Sequence, residues 1–168
     1  MDDKTLSDLV NAVTKDILSK RTANQQANNI KEYITLSKAK LLASKIEAEA
    51  LRMGVKAVVA ISNAAARPVL IECMDDSYIA SYDIALNKAY TSVALKMSTS
   101  ELKKLTNPGD ELYGIQYTNN GKIVIFGGGE PLISNGSIIG GLGVSGGTEE
   151  QDTYLAKYGA RIFEEELL

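Results

Sequence analysis

The order of the predicted elements indicates an α+β protein, in which helices pack against a mainly antiparallel sheet. A parallel sheet needs strands and helices in regular alternation. This chain instead predicts a helix, two strands, a helix, hairpin-linked strands and a closing helix. Turn signals at Asn119-Asn120-Gly121 and Asn135-Gly136 support hairpins. At 168 residues the chain has the length of one domain with a short appendage.

The composition is that of a soluble globular protein, with 45% hydrophobic and 23% charged residues. A net charge of -3 gives no general attraction to nucleic acid or anionic membranes. The start, Met1 to Lys4, lacks the basic and apolar regions of a signal peptide. The single cysteine, Cys73, suits a reducing compartment. We therefore expect a cytoplasmic protein that binds neither nucleic acid nor membrane.

The absence of histidine constrains any chemistry. It removes the usual general base near neutral pH and the commonest metal and haem ligand. Catalysis would have to rely on carboxylates, lysines, tyrosines, the thiol or a cofactor. We predict no metal site.

The first 33 residues predict an appendage. Apolar side chains recur at helical spacing in residues 4–19, and Thr5 with Asp8 forms a capping box. The polar stretch that follows indicates a linker. We divide the chain into a docking helix (1–20), a linker (21–33) and a domain (34–168). The helix either returns to its own core, forms a coiled coil, or docks in a groove of another protein.

A helix capped by Thr35 and ended by Gly54 should precede a hairpin of two strands, 55–62 and 69–74. Cys73 in the second strand is expected to be a buried, inert thiol. Asp75-Asp76-Ser77 should cap a long helix that reaches about Met97. Its predicted apolar face comprises Ile79, Tyr82, Ala85, Leu86, Ala89 and Val93.

Further capping boxes, Ser98 with Glu101 and Thr148 with Gln151, predict a short helix and the closing helix. Strands are expected at 112–118 and 122–126, around the first hairpin turn. Another strand, 137–144, should follow Asn135-Gly136. The tyrosines of the long helix, Tyr78, Tyr82 and Tyr90, are expected in the core with hydroxyls at its rim.

Two glycine clusters, Gly127 to Gly129 and Ser145 to Thr148, mark the expected site. The run Gly141 to Gly146 matches the dinucleotide-binding pattern, but the chain stops before the required parallel strand with its acidic residue. The amides of Gly146, Gly147 and Thr148 could instead hold a carboxylate or phosphate at a helix start. Equally, the glycines could serve only a tight turn. Lys88 is either a site cation or a solvated lysine.

Four sequence blocks resemble the GlcG/HbpS-like haem-binding family, and also the carboxy-terminal domain of propanediol-utilisation corrinoid adenosyltransferases. The resemblance runs from Ile34 to Phe163, through the blocks Ile34-Thr35-Leu36, Ser81 to Thr91, Gly128 to Leu132 and Ile139 to Asp152. It implies a profilin-like α/β/α fold with a five-stranded antiparallel sheet. It further implies a homo-oligomer that binds haem or a related tetrapyrrole.

This chain departs from the family pattern at the first hairpin. Asn63 stands where members commonly have Asp, and Ala65-Ala66 stand where they have a Gly. Without histidine, any haem ligand must be a tyrosine, lysine, methionine, the thiol or a group from an oligomer partner. The amino-terminal helix is similar to encapsulation peptides of bacterial microcompartment cargo. That resemblance implies a shell protein or other cargo as partner, and the compartment lumen as location.

Our leading hypothesis is a cofactor-binding accessory protein, not an enzyme, that takes haem or cobalamin. Alternatives are an enzyme acting on a small anionic metabolite in the glycine-loop pocket, and a purely structural assembly protein. The expected cofactor-binding residues are Lys88, Thr91, Gly127, Gly128, Gly129, Ser145, Gly146, Gly147 and Thr148.

Overall fold

A computed structural model describes residues 14–15 and 33–168 of the chain. The chain divides into two units, Met1–Glu32 and Tyr33–Leu168. In the first unit, Thr14 and Lys15 are helical and exposed. The rest of the predicted docking helix and almost all of the linker lie outside the described residues.

The second unit contains four helices and a four-stranded antiparallel sheet with strand order β2-β1-β4-β3. The helices are α1 (Leu36–Arg52), α2 (Ser81–Ala94), α3 (Thr99–Lys103) and α4 (Glu149–Glu166). The strands are β1 (Val58–Asn63), β2 (Pro68–Cys73), β3 (Gly129–Ser134) and β4 (Ser137–Ser145). The predicted antiparallel α+β class is confirmed.

Helices cover both faces of the sheet. The larger core joins α1 and α4 to one face, through side chains such as Ile46, Leu142 and Phe163. On the other face, α2 packs Ala85 and Ala89 onto Val58 and Ala60 of β1. This layering agrees with the predicted α/β/α arrangement, while the specific likeness to profilin stays a prediction.

Small residues let α2 lie unusually close to β4. A Cβ atom on Gly143 would collide with the carbonyl oxygen of Ala85, and one on Gly141 would lie 2.5 Å from that of Ala89. Ala60 of β1 pairs with Gly143 beneath the same helix. The glycines of β4 are therefore required by the packing of a helix backbone on a sheet.

Three of the predicted capping motifs are confirmed, while the predicted capping box of Thr5 with Asp8 lies outside the described residues. The Thr35 side chain caps α1, and both capping boxes are formed at α3 and α4. Asn135 and Gly136 adopt φ values of 49° and 72°, as the β3–β4 hairpin turn requires.

The prediction of five strands is wrong, because residues 112–126 form no strand. Gly114, with φ of 91°, interrupts the first expected strand, and residues Ile115–Tyr117 form a 3₁₀ turn. Asn119 and Asn120 have φ values of 51° and 57°, which bend the chain instead of starting a hairpin. The amide of Val124 then bonds the Thr91 side chain at 3.0 Å, where a strand would bond a backbone carbonyl.

Three predictions about residues 73–81 are also wrong. The long helix begins only at Ser81, without a side-chain cap, because Asp76 has a φ of 61° and pairs with Lys56 instead. Ile79, expected on the apolar face, is 96% exposed. Cys73 is exposed, because β2 is an edge strand and Cys73 is its last residue.

Candidate functional site

Lys88 is buried in the centre of the expected site, with no exposed side-chain surface. Its Nζ donates to Asp152 Oδ2 and to the carbonyl oxygen of Val144, each at 2.8 Å. The ring of Phe126 lies 4.8 Å from Nζ. Burial lowers the pKa of Lys88 and raises the pKa of Asp152, while their mutual attraction opposes both changes. Of the two readings left open for Lys88, the solvated surface lysine is therefore wrong, while its role in binding a cofactor stays a prediction.

One amide in each glycine cluster does hold a carboxylate, but both carboxylates belong to α4 of the same chain. Gly147 N donates to Asp152 Oδ1 at 2.9 Å, and Gly127 N donates to Glu149 Oε1 at 2.9 Å. Glu149 also binds Lys103 at 2.6 Å, and Lys103 together with the Gly127 amide holds the pKa of Glu149 below its ordinary value. The predicted anion cradle is thus filled from within.

The remaining predicted residues of the two clusters are also in close internal contact. A Cβ on Gly128 would lie 2.6 Å from Lys88 Nζ, and one on Gly129 would lie 2.8 Å from the Lys88 carbonyl oxygen. Ser145 bonds Ser81, and the Thr148 amide bonds Gln151. The structure thus gathers the two glycine clusters around Lys88. Their role in cofactor binding stays a prediction.

Thr91 lies one turn beyond Lys88 on α2 and serves a different segment. Its Oγ1 accepts from Val124 N at 3.0 Å and lies 3.2 Å from the Lys122 carbonyl oxygen. Thr91 therefore fixes the segment 122–124 against α2. This segment forms one wall of an open pocket.

The open pocket has a volume of about 350 Å³. Its walls are the β1–β2 loop, one face of α2 and the side chain of Lys122. The lining residues are Ala65, Ala66, Arg67, Pro68, Leu86, Asn87, Tyr90 and Lys122. Below, "the Tyr90 pocket" means this set. It contains two basic residues and no acidic one, so it favours an anionic ligand.

The polar groups of the Tyr90 pocket are held in place by neighbouring side chains. Asn63 Oδ1 accepts from the amides of Ala65 and Arg67, at 2.9 and 3.1 Å. Asn119 Nδ2 donates to the Tyr90 hydroxyl at 3.0 Å. Lys122 Nζ lies 5.7 Å from the centre of the Tyr90 ring. A pocket with such support is preorganised for binding.

Comparison with known proteins identifies the family. A family model described as "Haem degrading protein HbpS-like" matches residues 34–161. The chain belongs to the HbpS-like family.

Two curated relatives bear on this HbpS-like protein. It is 47% identical over 132 residues to an uncharacterized 15.0 kDa protein in the dhaT-dhaS intergenic region of Citrobacter freundii, covering 79% of this chain and 93% of that protein. It is 42% identical over 108 residues to the corrinoid adenosyltransferase PduO of Salmonella typhimurium, covering 64% of this chain and 32% of the enzyme. The HbpS-like chain thus spans about a third of that enzyme.

A solved structure of a PduOC:heme complex is also similar to the HbpS-like chain. The TM-score is 0.75 at 35% sequence identity, and the match covers 77% of this chain and 94% of that one. The similarity to the HbpS-like family and to this corrinoid adenosyltransferase region, expected from the sequence blocks, is confirmed.

Sequence reasoning missed the Tyr90 pocket because its lining comes from three separate segments, each unremarkable alone. One signal was available: the departures at Asn63 and Ala65-Ala66 coincide with its loop wall. Ala66 has a φ of 55°, a conformation that suits the Gly expected there. Tyr90, expected in the core, is instead partly exposed and lines this pocket.

Among the described residues, no cluster of acidic, cysteine or histidine side chains could hold a metal ion. Within the same part of the chain, no helix is both long and apolar enough to cross a membrane.

Proposed function

We propose that this HbpS-like chain is a non-catalytic accessory protein that binds haem in the Tyr90 pocket. The observation that carries the proposal is the combination of Arg67 and Lys122 beside a tyrosine in one open cavity. Neither cation forms an ion pair with a carboxylate of the described residues, so both are available to an anionic ligand.

The lining residues fit a tetrapyrrole. Arg67 and Lys122 can pair with two carboxylates at one edge of the ligand, while Leu86, Pro68 and the alanines offer an apolar surface to its ring. The cavity of about 350 Å³ lies near the lower end of ligand pockets, so part of a haem would remain outside the protein. When bound, haem supplies redox and gas-binding chemistry. The protein would bind, orient and partly shield it.

The comparisons support haem over a corrinoid. The similar PduOC structure is described as a complex with heme, and its match covers nearly all of that chain. The relatives named corrinoid adenosyltransferase match over only about a third of their length. Cobalamin therefore enters as the competing ligand in the test.

The alternative of an enzyme acting on an anionic metabolite has less support. The open cavity beside the glycine clusters is lined by Lys103, Glu149, Glu150, Thr153 and Tyr154. Its one lysine is already bound to Glu149 at 2.6 Å. The second carboxylate, Glu150, would repel an anionic substrate.

A titration of the purified protein with haem, followed by visible spectroscopy, tests the proposal. We expect saturable binding, weakened at least about tenfold in the double variant Arg67→Gln/Lys122→Gln, because two charge-assisted contacts are lost. The matched control Lys104→Gln/Arg161→Gln removes two exposed cations away from the pocket and should bind haem like the wild type. A wild type without spectral change, or one that binds only cobalamin, would overturn the proposal.

We further propose that residues 1–20 deliver the protein to the lumen of a bacterial microcompartment, by docking on a shell protein or other cargo. The support is the apolar spacing of this segment, which fits helix-in-groove binding. Residues 1–20 fused to a fluorescent protein should give puncta in cells that make shells. The control is the same fusion with Leu6, Leu9 and Val13 changed to Ser. If the unchanged fusion gave the same diffuse fluorescence as this control, the targeting proposal would be refuted.

We also propose that the protein is a homo-oligomer, as the family resemblance implies. Light scattering coupled to size-exclusion chromatography should give a mass that is a multiple of 18.0 kDa. A mass of one chain at working concentration would contradict this.

A further inference from the structure

We infer that Tyr90 would supply the protein ligand to the iron of haem bound in this pocket. The inference rests on the proposed function and goes beyond it, because the pocket could bind haem through the two cations alone. Three observations support the inference. Tyr90 lines the pocket, Lys122 lies beside its ring, and Asn119 donates a hydrogen bond to its hydroxyl oxygen from a separate loop.

The choice of ligand follows from the side chains that line the pocket. The chain has no histidine. Cys73 and Met74 line a different cavity, with Leu51 and Lys56. In the Tyr90 pocket the arginine guanidinium offers no lone pair to a metal, and the Asn87 amide offers only a neutral oxygen. Tyrosine and lysine remain, and tyrosine is an established haem ligand in proteins.

Two neighbouring side chains are placed to support a phenolate that is bound to iron. A phenolate bound to iron carries negative charge, which Lys122 Nζ, 5.7 Å from the ring centre, would offset. Asn119 Nδ2 donates to the phenol oxygen at 3.0 Å and leaves a second lone pair free for a metal. With Tyr90 bound to iron, Lys122 would serve as the counter-charge of the phenolate, and Arg67 would remain to pair with a carboxylate of the haem.

Asn119 is placed for this purpose by an unusual turn. Asn119, Asn120 and Gly121 have φ values of 51°, 57° and 74°, three left-handed residues in succession. Asparagine and glycine adopt this conformation at the least cost. The turn carries the Asn119 amide group back to α2. Strain of this kind commonly persists where it positions a functional group.

The competing explanation is that the Asn119–Tyr90 hydrogen bond merely fastens the loop to the helix. The two explanations differ in the electronic state of bound haem. A phenolate ligand gives ferric haem a ligand-to-metal charge-transfer band and a tyrosinate mode in the resonance Raman spectrum. A structural hydrogen bond gives neither.

The test compares haem-loaded variants by absorption and resonance Raman spectroscopy. The wild type should show both phenolate signatures, and Tyr90→Phe should lose both, with haem affinity reduced at least about tenfold. Tyr90→His should replace them with the spectrum of imidazole ligation. Tyr82→Phe, on the same helix and outside the pocket, should leave the wild-type spectrum unchanged.

The outcomes separate this inference from the proposed function. If the wild type binds haem but Tyr90→Phe keeps its spectrum, the inference fails and haem binding stands. If Lys122→Gln loses the iron ligand while Tyr90→Phe does not, lysine is the ligand and the inference also fails. If the wild type binds no haem, the proposed function itself fails.

Discussion

Lys88 Nζ and Asp152 Oδ2 lie 2.8 Å apart, with Lys88 fully buried and Asp152 almost so. The pair joins α2 to the start of α4, and the Gly147 amide completes the bonding of the carboxylate. Two charges removed from water are stable only while both are present. The pair therefore makes the glycine-rich end of the sheet depend on both helices.

Lys88→Met should lower the free energy of unfolding by about 3–5 kcal/mol, because it leaves Asp152 buried without its cation. The double variant Lys88→Met/Asp152→Leu should recover much of that loss. Urea denaturation followed by circular dichroism measures both. Lys45→Gln, which breaks an exposed pair with Glu166, should leave the midpoint nearly unchanged. If the double variant lost as much free energy of unfolding as the sum of the losses in Lys88→Met and Asp152→Leu, the two residues would not be energetically coupled.

Thr91→Val should loosen the segment 122–124. The substitution removes the hydroxyl that bonds Val124 N and leaves that buried amide without its partner, at a cost of about 1–3 kcal/mol. Hydrogen exchange at the Val124 amide should accelerate, and haem affinity should fall because Lys122 loses its anchor. Thr91→Ser keeps the hydroxyl and should restore both properties. Equal exchange rates in the Val and Ser variants would refute this role.

Glu130 should make stability depend on pH. Burial raises its pKa from 4.5 to about 7, and no described donor reaches its Oε1 atom. Between these two values the folded state binds more protons than the unfolded state. Stability contributed by the protonated form is therefore lost as the pH rises from about 4.5 to 7.

Glu130→Gln should remove this loss, and its advantage over the wild type should grow by about 2 kcal/mol between pH 4 and pH 8. The figure is discounted because the side chain is partly exposed. Denaturation midpoints at several pH values provide the measurement. Glu164 lines the same surface pocket as Glu130, and the control Glu164→Gln should keep the wild-type pH dependence. A Glu130→Gln profile parallel to the wild type would exclude Glu130 as the source.

Ala66→Gly should stabilise the protein by up to about 1 kcal/mol. Ala66 has a φ of 55°, where a Cβ atom is unfavourable and glycine is not. Ala65 does not have a positive φ, so Ala65→Gly relieves no strain. It should destabilise the protein by about 0.5 kcal/mol, because glycine raises the entropy of the unfolded chain. Thermal unfolding of the two variants side by side decides the matter. Destabilisation by both would show that the left-handed conformation costs Ala66 nothing.

The sequence determined the features that depend on neighbouring residues. Helix starts could be predicted from their caps, because a capping side chain accepts a hydrogen bond from a backbone amide only two or three residues away. These caps are Thr35, Ser98 with Glu101, and Thr148 with Gln151. The hairpin could likewise be predicted from Asn135-Gly136, because both residues readily adopt the positive φ angles that the turn requires. The order of the predicted elements indicated the antiparallel α+β class, and the family blocks indicated the family.

Tertiary structure decided what the glycines and Lys88 do. No local pattern reveals that the amides of Gly127 and Gly147 bind Glu149 and Asp152, because these partners meet only when α4 docks on the sheet. Nor does any local pattern unite Arg67, Tyr90 and Lys122, which the fold brings together from a hairpin, a helix and an irregular segment. The apolar residues of the segment 122–126 predict a strand, and Ile123 and Val124 are indeed buried, yet the Thr91 side chain takes the place of the strand partner. Apolar residues in the sequence predict which segments are buried. The groups that those segments contact depend on how distant parts of the chain pack together.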